Sequence, residues 1–186
     1  IYVGARCVAN HLQLLVEAGK LVEDTNVLFI VIGDVMEKKS LIKSSEEMSI
    51  KNVRFINAVP KQEVFKYILA SEMGASVLKK ADTFKTEYSN KTIDYMSCKK
   101  SILMAIDGVS RKLVEDANCG AYVEPENTQE YNRIIRGYLN NHQRLIDEGQ
   151  NGYSFAKNNF DRSVLAKKYI DFIIEKIVLK NYVSKI

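Results

Sequence analysis

Short apolar runs closed by turn residues recur along the chain: IYVG (1–4), VLFIVIGD (27–34), VRFINAV (53–59), GASVLK (74–79), SILMAI (101–106) and GAYVE (120–124). They are rich in β-branched residues and lack polar alternation, which predicts strands buried on both faces, as a parallel sheet requires. Between them the period lengthens to that of a helix. Leu12, Leu15, Val16, Gly19 and Val22 mark one helical face, and Val64, Phe65, Ile68 and Leu69 mark another within KQEVFKYILAS (61–71). Strand alternating with helix is the pattern of βαβ units, so the fold class expected is α/β: a Rossmann-like open parallel sheet of about six strands with helices on both faces. Two more helices, at about 128–147 and 161–180, have no strand after them. Asp161 is placed to cap the last, whose apolar face carries Val164, Leu165, Tyr169, Phe172, Ile173 and Ile177.

Length and composition narrow this picture. With 186 residues and no internal linker, residues 1–186 form a single domain. A chain that is 46% hydrophobic and 27% charged with 2 prolines is globular, which excludes disordered and fibrous classes. The charge of +4 is spread along helix-like segments and not gathered in a block, so it suits an anionic small ligand or a membrane surface as well as nucleic acid. Cys7, Cys98 and Cys119 form no CxxC pair and no metal-ligand spacing; they read as packing thiols in a reducing cytoplasm. No apolar run approaches the ~20 residues of a membrane span. Because the chain opens inside a strand-like run, it reads as a fragment.

In open α/β sheets ligands bind beyond the carboxyl ends of the strands, where helix N-termini present backbone N–H groups to anions. After the first run, GARCVAN (4–10) offers Gly4, Arg6 and Asn10, which are parts of a phosphate loop or of a plain turn. In IGDVMEKK (32–39), Asp34 is able to cap the following helix. NAVPKQEV (57–64) is a loop in which Pro60 starts a helix and a nucleobase could lie on backbone. ADTFKTEYSNKTIDYM (81–96) is richer. Ser89 is an N-cap candidate, which would leave the amides of Asn90, Lys91 and Thr92 as first-turn donors beside the Lys91 charge. Asp94 falls one turn further, either as a ribose-binding carboxylate or as an acid that complements the helix dipole. Glu87 is either its partner or a solvated loop acid. His11 and His142 have no acidic partner at ligand spacing, and no P-loop, HExxH or Ser-His-Asp pattern is present.

The blocks YVG, FIVIGD, NVRFINAVPKQEV, SNK..DYMSCKKSIL, GVSRKLVEDANCGAYVEPEN and NNFDRSVLAKKY, in that order, resemble the C-terminal, nucleotide-sugar-binding domain of family-4-type GT-B glycosyltransferases, and within them the bacterial enzymes that build O-antigen or capsule from UDP-activated amino sugars. The resemblance implies the C-terminal half of a GT-B fold, with the N-terminal acceptor domain outside this chain. It implies a UDP-sugar donor, N-acetylated, used for retaining transfer without a metal or other cofactor. Its paired acids correspond to Glu87, toward the donor sugar and the catalytic end of the site, and Asp94, on the ribose. The spacing here is one residue shorter and the second acid is Asp. Ser89, Asn90 and Lys91 correspond to the diphosphate stretch, Gly4 and Arg6 to the first loop, and Val59, between Ala58 and Pro60, to the segment holding the base. Lys99 stands where relatives have glycine. The implied partners are the nucleotide-sugar, the missing N-terminal domain and a lipid-linked acceptor, with no nucleic acid; the implied location is the cytoplasm, with peripheral contact at the inner face of the plasma membrane. Two alternatives are a non-catalytic α/β interaction module, favoured if Ser89, Lys91 and Asp94 face away from Gly4, and a GT-B UDP-sugar epimerase half.

Overall fold

A computed structural model describes residues 1–4, 9–34 and 37–178. All six expected strands form: β1 (Tyr2–Val3), β2 (Phe29–Ile32), β3 (Val53–Ile56), β4 (Met73–Val77), β5 (Ser101–Ala105) and β6 (Gly120–Tyr122). They pair in parallel as two three-stranded sheets, β1-β2-β3 and β4-β5-β6. The sheets meet at β1 and β4, where the Ile1 amine donates to the Met73 carbonyl (2.8 Å) and the Ala75 amide donates to the Ile1 carbonyl (2.7 Å). The next rung of that parallel ladder would join the Val3 amide directly to the Ala75 carbonyl. Instead the Tyr95 hydroxyl stands between them, accepting from Val3 (3.1 Å) and donating to Ala75 (3.2 Å). Through this seam the strand order runs 3-2-1-4-5-6, and it reverses between β1 and β4.

Burial on both faces explains why the strand runs lack polar alternation. On one side, Leu103 and Ala105 of β5 join Val31, Ala75 and Val77 under α1 (Gln13–Leu21), α2 (Lys38–Glu47) and α6 (Thr128–Leu139). On the other, Ile102, Met104 and Ile106 pack with α3 (Lys61–Leu69), α4 (Asn90–Ser97) and α5 (Val109–Asp116). Cys98 and Cys119 are buried, as expected of packing thiols; burial raises both thiol pKa values, Cys119 to about 12.

The C-terminal third departs from the sequence expectation. The single helix expected at 128–147 is two helices, α6 and α7 (His142–Phe160), which break at Asn140–Asn141. The Asn141 side chain accepts from the Arg144 amide (3.1 Å), so a residue that the apolar period passes over starts a new helix. The buried stripe of α7 includes Gly149 and Gly152. A Cβ at 149 would overlap the Lys99 carbonyl, and one at 152 would lie 3.0 Å from Cys119 Cβ. Asp161 caps α8 (Arg162–Ile173) by accepting from the Ser163 amide (2.9 Å), as expected, but α-helical bonding gives way to a π-helical turn at Ile174–Val178. No side chain of α8 is buried, and Tyr169 is 67% exposed. Asp34 does not cap α2, whose N-cap is Glu37. Among the described residues no helix is long and apolar enough to cross a membrane.

Candidate nucleotide site at the strand reversal

The crevice that open α/β sheets use for ligands lies at the reversal of strand order, here above β1 and β4. Its floor is tight. Gly33 adopts φ +140°, and a Cβ there would overlap the Gly4 carbonyl oxygen, while the Gly4 amide donates to the Ile32 carbonyl (3.0 Å). The ends of β1 and β2 are thus held flush, backbone to backbone. Asn10, just before α1, is buried; Arg6 lies outside the described residues.

The fourth strand supplies the opposite wall through α4. Gly74 and Ser76 face this helix from β4. Gly74 leaves room for the Tyr95 ring, and the Ser76 hydroxyl lies 3.3 Å from that of Thr92. With Thr92 and Tyr95 seated on the strand, the first turn of α4 is fixed at the seam. Lys91 reaches back across it, its ammonium 5.0 Å from the centre of the Tyr2 ring. Tyr2 in turn fills the space where a Cβ at Gly4 would stand. Lys91, Tyr2 and Gly4 therefore form one cluster, and the first turn of α4 faces the end of β1. That is the arrangement a non-catalytic interaction module does not require.

Ser89 is the N-cap of α4, yet its hydroxyl makes no capping bond. The residue is 5% exposed, and its Oγ has no hydrogen-bond partner among the described residues. Its amide donates to the Ser110 hydroxyl (3.1 Å), which itself donates to the Glu87 carbonyl (2.6 Å), so α5 pins loop 87–89 from behind. The Thr92 amide donates to the Ser89 carbonyl (2.9 Å), which removes it from the three donors expected in this turn. Asn90 is exposed at the mouth.

Asp94 faces the start of α3. Its carboxylate Oδ2 accepts from the Lys61 ammonium in a short ion pair that links the loop after β3 to α4. Lys61 follows Pro60, and its ammonium also stands 5.1 Å from the Phe65 ring. Val59, two residues earlier, is half-buried against the core that holds Tyr95 and Met96. The site is thereby closed on the β3 side by a contact that sequence reading missed. Glu87 is not drawn in: its carboxylate is exposed and has no partner among the described residues. Nor do His11 and His142 meet an acid; His142 is exposed at the start of α7, and His11 has a buried Nδ1 without a partner among the described residues. Among the described residues no group of three or more His, Cys, Asp or Glu is arranged to hold a metal.

Chemically, the assembled pieces are a cation and a helix N-terminus beside Gly4 at the end of β1, a buried hydroxyl at that N-terminus without a partner among the described residues, and a carboxylate one turn further. They suit a ligand with a phosphate at one end and hydroxyls at the other.

Residues 1–155 match the family model described as glycosyl transferases group 1. Among solved structures, the chain is similar to HepE from Anabaena in complex with UDP, with 19% identity and a TM-score of 0.78 over 92% of this chain and 48% of that one. It is also similar to the C-terminal domain of LpcC, a group 1 family glycosyl transferase from Francisella tularensis, with 18% identity and a TM-score of 0.72 over 87% of this chain and 85% of that domain. WaaG, a glycosyltransferase involved in lipopolysaccharide biosynthesis, aligns at 17% identity and a TM-score of 0.68 over 92% of this chain and 46% of its own. The fold is thus that of the C-terminal half of GT-B glycosyltransferases, and the chain spans about half the length of HepE and WaaG. No curated protein sequence matches it.

Proposed function

The chain belongs to the group 1 glycosyl transferases, and from that premise we propose that it is the donor-binding domain of a retaining transferase that uses a UDP-sugar. The observation that carries this reading is the cluster of Lys91, Tyr2 and Gly4, which sets the α4 N-terminus at the end of β1, at the strand reversal. In the proposed complex the diphosphate lies between Gly4 and the first turn of α4. There the Asn90 amide, the Ser89 hydroxyl, Lys91 and Arg6 offset the charge that builds on the leaving UDP. Asp94 takes the ribose, and the backbone at Val59 lies along the base. Glu87, exposed at the mouth, is assigned to the donor sugar on the strength of the sequence resemblance. The charge of the leaving group is met by these side chains and amides, so the reading calls for no metal.

The donor is an N-acetylated hexose and the product a bacterial surface polysaccharide of the O-antigen or capsule kind; the sequence resemblance supports this finer assignment. The acceptor, lipid-linked at the inner face of the membrane, and the residues that act on it belong to an N-terminal domain outside this chain, so the chain alone binds donor without turning it over.

Calorimetric titration with UDP, UDP-glucose and UDP-N-acetylglucosamine tests the proposal. Binding of UDP is expected, weakened tenfold or more by Lys91→Ala and by Asp94→Ala, each of which removes a charged contact of about 1.5–3 kcal/mol. Binding that neither substitution changes, or no binding of any nucleoside diphosphate, would refute it.

A further inference from the structure

Resting on that nucleotide reading, we infer that Lys61 is a second ribose-reading residue, acting with Asp94 as a joined donor–acceptor pair. A lone carboxylate recognises a vicinal diol by accepting from both hydroxyls through its two oxygens. Here one acceptor site is taken, because Oδ2 of Asp94 already accepts from Lys61, and a hydroxyl at that oxygen lies beside the ammonium. The other carboxylate oxygen has no lysine beside it and accepts from one hydroxyl alone. The ammonium has three donors, of which Asp94 takes one, so it can donate to the oxygen of the second hydroxyl.

Three features hold Lys61 in place for this. It opens α3 directly after Pro60, so its backbone is fixed at a helix start. Its ammonium rests 5.1 Å from the Phe65 ring, and Phe65 packs against the core beneath α4. Its side chain is 64% exposed while that of Asp94 is 25% exposed, so the lysine is the more open member of the pair and keeps donors for a ligand. A surface ion pair contributes little to stability on its own. The worth of this one lies in setting which hydroxyl meets a donor and which an acceptor.

The test is titration of the chain and its variants with UDP, 2′-deoxy-UDP and 3′-deoxy-UDP. For the unaltered chain each deoxy analogue is expected to bind about tenfold more weakly than UDP, the loss of one charge-assisted hydrogen bond. In Lys61→Met one of the two penalties disappears and the other stays; in Asp94→Asn the pattern changes at the other hydroxyl; Lys61→Arg restores most of the lost discrimination. If Lys61→Met keeps both penalties, the inference is wrong. Tighter UDP binding by Lys61→Met would also overturn it, by showing that the ammonium competes with ribose for Asp94. UDP binding that needs Asp94 and Lys91 but ignores Lys61 overturns this inference alone. Absence of nucleotide binding in the unaltered chain instead removes the reading on which it rests.

Discussion

Replacing Tyr95 by Phe removes one oxygen atom from the seam of the sheet. That oxygen serves two backbone groups, accepting from the Val3 N–H and donating to the Ala75 C=O. The ring is fully buried, and burial raises the phenol pKa, so the hydroxyl stays protonated and able to donate. Leaving a buried backbone group unsatisfied costs about 1–3 kcal/mol. Val3 is only half-buried, which puts the expected loss for the pair at about 2–3 kcal/mol. For a domain of this size that is a fall in melting temperature of roughly 4–12 °C. Urea unfolding at unchanged m-value measures it, and amide exchange locates it: the Val3 amide should lose protection while Ile32 and Ala105 keep theirs. Gly74→Ala should cost at least as much, since its Cβ would displace the same ring. A loss below about 0.5 kcal/mol for Tyr95→Phe would mean that the strands close to make the direct bond. The hydroxyl would then not be what holds the seam.

Three further outcomes are expected. Lys99→Gly should stabilise the domain by about 0.5–1.5 kcal/mol in urea unfolding, because Lys99 sits at φ 56°, where a side chain strains the backbone, and its stacking on Tyr153 offsets only part of that; a loss of stability would refute the strain. Ser110→Ala should cost about 1–3 kcal/mol and weaken UDP binding, since it frees both the Ser89 amide and the Glu87 carbonyl; unchanged affinity would show that loop 87–89 needs no clamp. Stability should fall as pH rises from about 9 to about 12. The Cys119 pKa goes from 9.0 to about 12 through burial, so the unfolded chain sheds that proton first; the contribution is whole below pH 9 and is lost between there and about pH 12, as denaturant midpoints taken across that range would record.

The strands were legible because burial on both faces writes continuous apolar runs into the sequence; β5 alone sends Ile102 and Met104 to one side and Leu103 and Ala105 to the other. The core of the candidate site was legible for a local reason, since Ser89, Lys91 and Asp94 lie within two turns of one helix start. Its supports were not. Lys61 meets Asp94 across 33 residues, Ser110 meets Ser89 across 21, and Tyr95 meets Val3 across 92. Each of these three looked ordinary in its own segment, a helix-start lysine, a serine in an amphipathic helix and an aromatic on an apolar face. The backbone angle of Lys99, φ 56°, is likewise invisible in its segment. The break at Asn140–Asn141 was hidden because both helices carry the same apolar period across it.

The glycines of α7 bear on how that helix is held. A helix interior holding Gly149 and Gly152 sacrifices about 1 kcal/mol at each relative to alanine, so this segment has little tendency to coil by itself. Its one buried carboxylate, Glu148, accepts from Ser101 at the start of β5 and from Tyr138 in α6, partners that exist as a pair only once those elements are in place. The helix is therefore a product of the surface that receives it. Glu148 also takes Arg144 from its own helix, yet its other bonds tie α7 to the sheet and to α6, so a substitution at Ser101 or Tyr138 is felt in α7.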